Sequence, residues 1–204
     1  MKALCSVLTL VLTFSAASLA QTVLTKQDLL TNSPATHQKV VGLKDFRVVI
    51  PGVLYRGGNS GGGQIPLKDV GLKTLADMDF STAVYMYPYG WSQKPADTYG
   101  INYSFISDTR NRASQKEYLM KIKDVIENRK GPLYVHCWNG WHASGEMASY
   151  ALMQFCGFSN QEAQAYWNAN VPKGDANKIM RMSRFQIFDD LKISAEDQAR
   201  ICPR

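Results

Sequence analysis

A short apolar strand, a tight loop and an apolar helix follow one another between Leu133 and Phe155. Leu133–His136 has the composition of a buried strand, and the run from Ser144 to Phe155 has helical length and is closed by Gly157. Cys137 therefore falls at the turn from strand to helix. A helix N-terminus favours the thiolate form of cysteine, and the N–H groups of such a loop can bind an anion. The segment predicts a nucleophile and an anion-binding loop at one position.

The rest of the sequence alternates between strand and helix patterns. Strands are predicted at 46–50, 53–56, 82–87 and 101–106, and helices at 66–78, from 114 onward, at 160–168 and at 175–191. Ser114 and Glu117 would form a capping box. This alternation predicts an α/β fold, a three-layer sandwich with a central, mostly parallel sheet flanked by helices. The glycine-rich stretch 57–63 is predicted as a loop, either a flexible connection or a phosphate contact.

The composition restricts the class of protein. The 204 residues suffice for one domain with its own core, and 45 % hydrophobic with 20 % charged residues is globular composition. Lys and Arg number 23 against 17 Asp and Glu, and the formal charge of +6 favours anionic small molecules or surfaces. No basic run is interleaved with aromatic residues, so nucleic-acid binding is not expected.

The first twenty residues have the pattern of a signal peptide. Lys2 precedes an apolar run from Ala3 to Ala17, and Ser18-Leu19-Ala20 places small residues where a signal peptidase cleaves. We therefore expect a signal peptide at 1–20, an N-terminal arm at 21–45 and one folded domain, which carries Cys137, at 46–204. Export predicts a secreted or periplasmic location, and no membrane span is expected in the mature chain.

The cysteines bear on the same expectation. Cys5 leaves with the signal peptide, and Cys137, Cys156 and Cys202 then enter an oxidising compartment. Three thiols allow at most one internal pair. We predict a Cys156–Cys202 disulfide, because a covalent link near the chain terminus limits fraying. Cys137 would then be free.

The loop carries a recognisable motif. The sequence Val135-His136-Cys137-Trp138-Asn139-Gly140-Trp141-His142-Ala143-Ser144-Gly145 resembles the Val-His-Cys-x-x-Gly-x-x-Arg-Ser/Thr-Gly signature of cysteine-dependent phosphatases of the tyrosine and dual-specificity type. The resemblance implies that Cys137 attacks phosphorus to form a phosphocysteine, and that Ser144 stabilises the thiolate as it leaves. It implies that His136 orients the loop and favours the thiolate. Asp108 would protonate the leaving oxygen and then activate water.

Ala143 departs from the signature, which has arginine at that position. The arginine grips two phosphate oxygens and stabilises transition-state charge, and loss of one such donor costs about 10²–10³ in rate. Three interpretations stay open: another cation replaces the arginine, the protein is a pseudophosphatase that binds without turnover, or the loop takes a less charged ligand. The candidate cations are Arg56, Arg110, Arg112, Lys173, Arg181 and Arg184.

Substrate contacts are expected from the loop and from nearby arginines. The residues are Trp138, Asn139, Gly140, Trp141 and His142, with Arg110 and Arg56. His136, Cys137 and His142 lack the spacing of a zinc site, so neither a metal nor another cofactor is expected. The expected partner is a phosphorylated small molecule or a phosphoprotein, whose identity the sequence leaves open.

Overall fold

Six strands form one mixed sheet in the computed structural model of the chain, which describes residues 23–172, 174–175 and 185–204. The strands are β1 (His37–Gln38), β2 (Leu43–Ile50), β3 (Leu54–Asn59), β4 (Thr82–Tyr85), β5 (Asn102–Phe105) and β6 (Leu133–Cys137). Their order across the sheet is β1-β2-β3-β6-β4-β5. The first three strands pair antiparallel, whereas β3, β6, β4 and β5 pair parallel.

The described residues form six α-helices. They are α1 (Lys26–Leu30), α2 (Asp69–Asp77), α3 (Arg112–Asn128), α4 (Ala143–Cys156), α5 (Asn160–Asn170) and α6 (Ala195–Ile201). The chain explains several of their ends: Ser159 and Glu162 form a capping box before α5, and Gly157 ends α4 with a φ of +65°. Within the described ranges, no helix is both long and apolar enough to cross a bilayer.

Helices cover both faces of the sheet, as the three-layer prediction requires. Along β6, Leu133 and Val135 pack into the larger core, which is built mainly with α3, α4 and α5. Tyr134 points to the opposite face, where it joins Leu72 and Leu75 of α2 in a smaller core. Burial on both faces is typical of a central parallel strand. The strand that carries Cys137 is therefore held rigidly in the middle of the sheet.

The stretch expected to be an N-terminal arm packs against the domain. Leu24 and Leu29 lie in the larger core. Arg47 of β2 holds this stretch in place, since its Nη1 donates to the Asn32 side chain at 2.8 Å and also to Asn170 of α5. The predicted signal peptide lies outside the described residues, and the division of the chain into three segments stays a prediction.

Three predicted elements need correction. Asn111, rather than Ser114, caps α3, because its side chain accepts the N–H groups of Ala113 and Ser114. Gly57 and Gly58 are strand residues of β3 and not part of a loop. Of the helix predicted over 175–191, residues 185–188 are irregular and 189–191 form a 3₁₀ turn, while 176–184 lie outside the described residues.

A disulfide joins Cys156, at the end of α4, to Cys202, just after α6, with Cα atoms 5.4 Å apart. Cys137 is free and buried. The two bonded cysteines are 46 residues apart in sequence. The disulfide therefore closes a long loop and lowers the conformational entropy of the unfolded chain.

Replacing both bonded cysteines, in Cys156→Ala/Cys202→Ala, is expected to lower the free energy of unfolding by about 4 kcal/mol in the chain-entropy model. Chemical denaturation of the two oxidised proteins measures the difference. Wild type unfolded in the presence of a reductant is the matched control, and it should approach the double variant. Equal stability of the oxidised wild type and the double variant would contradict the prediction.

Candidate active site

The Cys137 thiol lies at the C-terminal end of β6 and is 2 % exposed. Its Sγ is 3.3 Å from Oγ of Ser144, which belongs to the first turn of α4. A hydroxyl at this distance can donate a hydrogen bond to a thiolate. The structure thus brings together the nucleophile and the hydroxyl that the resemblance assigned to each other.

Glycines allow the loop after β6 to lie directly against β3. Gly58 forms a bridge with Asn139, and a Cβ atom on Gly58 would lie only 2.5 Å from the Trp138 carbonyl oxygen. A Cβ atom on Gly140, which has a φ of +82°, would lie 2.7 Å from the carbonyl carbon of Gly57. Larger residues do not fit at these contacts. The close approach explains the glycine at position 58, whereas a Cβ atom on Gly57 would collide with side-chain and backbone atoms of the neighbouring strands β6 and β2.

Arg56 of β3 places a fully buried guanidinium against the same loop. Its Nη1 donates to the Gly140 carbonyl at 2.6 Å and to the Trp141 carbonyl at 3.4 Å. Its Nε and Nη2 have no hydrogen-bond partner in the described part of the chain. The sequence predicted a substrate contact for Arg56, whereas the structure shows the guanidinium bound to loop carbonyls.

The remaining predicted cations lie in different places. Arg112 donates to the Gln186 carbonyl and stacks on Phe188, 3.5 Å from the ring centroid. It is thus engaged with the C-terminal segment. Arg110 is exposed in the loop before α3. Lys173, Arg181 and Arg184 lie outside the described residues.

Lys44 of β2 is a cation that the sequence analysis missed. Its Nζ donates to Oδ1 of Asn139 at 2.7 Å and lies 5.8 Å from the ring centroid of Trp141. The register of β2 and β3 explains this position, because Lys44 is opposite Gly58, which in turn contacts the loop. Nothing in the sequence around Lys44 distinguishes it from any other exposed lysine in a strand, so its contact with Asn139 could not be predicted.

His136 is fully buried one residue before the nucleophile. Its Nε2 is 2.8 Å from the Tyr103 hydroxyl, which also accepts the N–H of Leu67 at 2.7 Å. The ring stacks on Tyr85 with centroids 4.9 Å apart. Burial lowers the pKa of His136 to about 3, so the ring is neutral at neutral pH. It therefore orders the end of β6 and provides no positive charge to stabilise a thiolate.

Asp108 is exposed in the loop between β5 and α3. Its Oδ1 accepts the N–H of Arg110 at 2.8 Å, and its carbonyl accepts the N–H of Asn111 at 3.2 Å. The side chain therefore caps its own turn in this conformation. The carboxylate is accessible to solvent, as a group that exchanges protons with substrate and water must be.

The large side chains of the loop differ in their surroundings. Trp138 is 44 % exposed next to Cys137, so it is available to contact a ligand. His142 instead contacts Asp175, with Nε2 3.2 Å from Oδ2, and its backbone carbonyl accepts a hydrogen bond from Nε1 of Trp167 at 3.3 Å.

The residues that the structure describes contain no cluster of three or more His, Cys, Asp or Glu suited to a metal ion.

Tyr87, two residues after β4, is another residue that the sequence analysis missed. It is half-buried and packs on the core that includes Cys137. Burial raises the pKa of Tyr87, and the neighbouring Cys137 adds to the effect. The hydroxyl therefore stays protonated at neutral pH and is a hydrogen-bond donor beside the Cys137 thiol. The sequence shows Tyr87 only as the end of an apolar run.

No protein-family model matches the sequence, and no curated protein does either. Several solved structures are similar to it. TpbA from P. aeruginosa, in a variant form in complex with pTyr, is 18 % identical, with 83 % of this chain and 98 % of that chain covered and a TM-score of 0.48. Tk-PTP in the active form is 20 % identical, with coverages of 70 % and 92 % and a TM-score of 0.47. The core catalytic domain of the PP-IP phosphatase SIW14 from S. cerevisiae is 14 % identical, with coverages of 79 % and 85 % and a TM-score of 0.47.

The chain is an α/β protein with a six-stranded mixed sheet, and the solved structures similar to it include Tk-PTP and a PP-IP phosphatase. Because these identities and TM-scores are low, we infer its function from the contacts around Cys137.

Proposed function

We propose that this chain is a cysteine-dependent phosphatase-like protein that hydrolyses a phosphomonoester through a phosphocysteine at Cys137. The observation that carries the proposal is the buried thiol 3.3 Å from the Ser144 hydroxyl, in a strand–loop–helix turn closed against β3. The N–H groups of such a loop and the N-terminus of α4 favour a bound anion. The unneutralised guanidinium of Arg56 adds positive charge.

The proposed reaction has two steps. In the first, the Cys137 thiolate attacks phosphorus, an S–P bond forms, the P–O bond to the leaving group breaks, and Asp108 gives its proton to the leaving oxygen. In the second, water attacks phosphorus and passes a proton to Asp108. The S–P bond then breaks, inorganic phosphate forms, and the Ser144 hydroxyl stabilises the released thiolate.

A pseudophosphatase is the second candidate, and Ala143 is the observation that favours it. Ala143 is the first residue of α4, and its methyl group supplies neither charge nor hydrogen bond. Among the described residues, Arg110 and Lys44 are exposed cations available to a substrate anion in place of that arginine, in addition to the buried Arg56. In this alternative the loop binds a phosphorylated small molecule or phosphoprotein and does not cleave it.

Export is part of the proposal. The signal-like segment 1–20 motivates it, and the Cys156–Cys202 disulfide supports it, because disulfides persist in oxidising compartments. Mass analysis of exported protein is expected to find Gln21 at the N-terminus.

A panel of phosphomonoesters, tested on wild type, Cys137→Ser and Asp108→Ala, tests the proposed activity. Wild type should release phosphate, Cys137→Ser should not, and Asp108→Ala should accumulate a phosphocysteine detectable by mass spectrometry. Binding of inorganic phosphate without any turnover supports the pseudophosphatase. Absence of both turnover and anion binding would rule out both candidates.

A further inference from the structure

Glu146 is a buried carboxylate that the proposed reaction does not use. It lies three residues beyond Ala143 in α4 and is 8 % exposed. Its Oε2 accepts the hydroxyl of Thr109 at 2.9 Å, and its Oε1 accepts the hydroxyl of Tyr150 at 2.7 Å. Burying a carboxylate is costly unless hydrogen bonds compensate. Both oxygens here have a donor, and one donor comes from outside the helix.

That outside donor belongs to the loop that carries the expected acid. Thr109 directly follows Asp108, and its backbone carbonyl accepts Nε2 of Gln115 at 2.9 Å. The side chain of Thr109 is thus held by α4, and its backbone by α3. The loop is fastened between the two helices at the residue next to the acid.

The electrostatic surroundings of Glu146 are consistent with this arrangement. Burial raises its pKa, while the hydrogen bonds from Tyr150 and Thr109 and the charge of Arg110 oppose that effect, and Asp108 adds to it. These contributions show that Asp108 and Arg110 are close enough to Glu146 to interact electrostatically. An apolar residue at position 146 would leave the Thr109 hydroxyl without this acceptor.

We propose that Glu146 is a positioning residue, which acts through Thr109 to fix the loop of Asp108 relative to the helix that begins at the Cys137 loop. This inference rests on the proposed phosphatase function, because the position of Asp108 matters for rate only when it transfers a proton. It assigns roles to Glu146 and Thr109 that the signature motif does not contain.

Thr109→Val tests the inference, since it removes the hydroxyl and preserves the side-chain shape. General acid catalysis contributes about 10²–10⁴ in rate, mainly for leaving groups that need a proton. We expect kcat on an alkyl phosphate to fall at least about tenfold, and kcat on p-nitrophenyl phosphate to change less than about threefold. Glu146→Met, which removes the acceptor and keeps the side-chain length, should shift the ratio of the two rates in the same direction.

Two comparisons separate positioning from a general structural effect. In an Asp108→Ala background, Thr109→Val should cause no further loss on the alkyl phosphate, because residues that act as a unit are not additive. Thr31→Val is the matched control, because it also removes one threonine hydrogen bond, from Oγ1 to the Gln27 carbonyl at 2.9 Å, at the C-cap of α1 and outside the loop of Asp108. It should leave both rates unchanged. Equal losses on the two substrates in Thr109→Val would overturn the inference.

A readout without turnover tests the anchoring itself. Thr109→Val should increase amide hydrogen exchange at residues 107–111 and leave exchange in β4 unchanged. Unaltered exchange in the loop would overturn the inference even if the protein is an active phosphatase. If wild type has no activity, the proposed function fails, while the exchange experiment still decides whether Glu146 anchors the loop.

Discussion

Ala143→Arg is expected to raise the turnover of a small aryl phosphate by at least about tenfold, a conservative part of the effect of one preorganised donor. Position 143 is the first residue of α4, one residue before Ser144, so a guanidinium there would start beside the anion-binding loop. The nucleophile, the neighbouring hydroxyl and the close packing of the loop on β3 are already present. A bidentate cation is the element of the signature that the loop lacks.

Phosphate release from p-nitrophenyl phosphate by wild type and variant measures this gain. Ala143→Met is the matched control, because it adds length without charge and should not raise turnover. The gain should disappear in Cys137→Ser/Ala143→Arg. If Arg110 already replaces the missing arginine, wild type is active, Arg110→Ala is not, and Ala143→Arg restores activity. No turnover of any phosphoester by Ala143→Arg would favour the binding role.

Arg56→Met is expected to weaken the binding of inorganic phosphate by at least about tenfold. The Arg56 guanidinium contacts the carbonyls of Gly140 and Trp141, and no carboxylate pairs with it in the described ranges. In general, a unit charge interacts with an anion about 8 Å away by roughly 2 kcal/mol at an effective dielectric constant of about 20. The fold should survive, since an apolar side chain of similar length can replace a buried charge.

Calorimetry in a Cys137→Ser background measures this affinity without turnover. Arg47→Met is the control, because Arg47 is opposite Arg56 in the β2–β3 register and is also buried. Arg47 pairs with Asp45 at 2.8 Å, so its charge is already neutralised and its loss should change phosphate affinity less than about threefold. Arg56→Lys, which retains the charge, should bind more tightly than Arg56→Met. Equal affinities of Arg56→Met and the parent would contradict the prediction.

The central part of the site can be predicted from sequence because its signals are contiguous. The apolar run before Cys137, the glycine at 140 and the helical run from Ser144 follow one another within a few residues, and together they specify a strand, a turn and a helix. The α/β class follows in the same way from the alternation of periodic segments. The Cys156–Cys202 pair could be predicted because a covalent link near the chain terminus limits fraying, and this pairing leaves Cys137 of the signature loop free.

Contacts between distant segments are harder to predict. Ser114 and Glu117 match a capping box, yet Asn111 makes the cap, and only the packing of α3 decides between them. Gly57 and Gly58 look like a loop because glycine is unfavourable in strands, but neighbouring strands leave no room for a side chain at Gly57 and the Cys137 loop leaves none at Gly58. The contact of Lys44 with Asn139 depends on the register of β2 and β3. The contact of Glu146 with Thr109 depends on a loop that approaches α4. A single sequence specifies neither.

The disulfide has a consequence for oxidative folding. In the unfolded chain Cys156 is much nearer in sequence to Cys137 than to Cys202, so loop closure favours the non-native Cys137–Cys156 pair by about 0.8 kcal/mol. That pair would block the proposed nucleophile and hold β6 to the far end of α4. Correct oxidation therefore requires that β6 is inserted between β3 and β4 before the thiols react, or that a thiol–disulfide isomerase reverses the error. The yield of correctly paired protein under oxidising conditions is then set by how early the centre of the sheet forms.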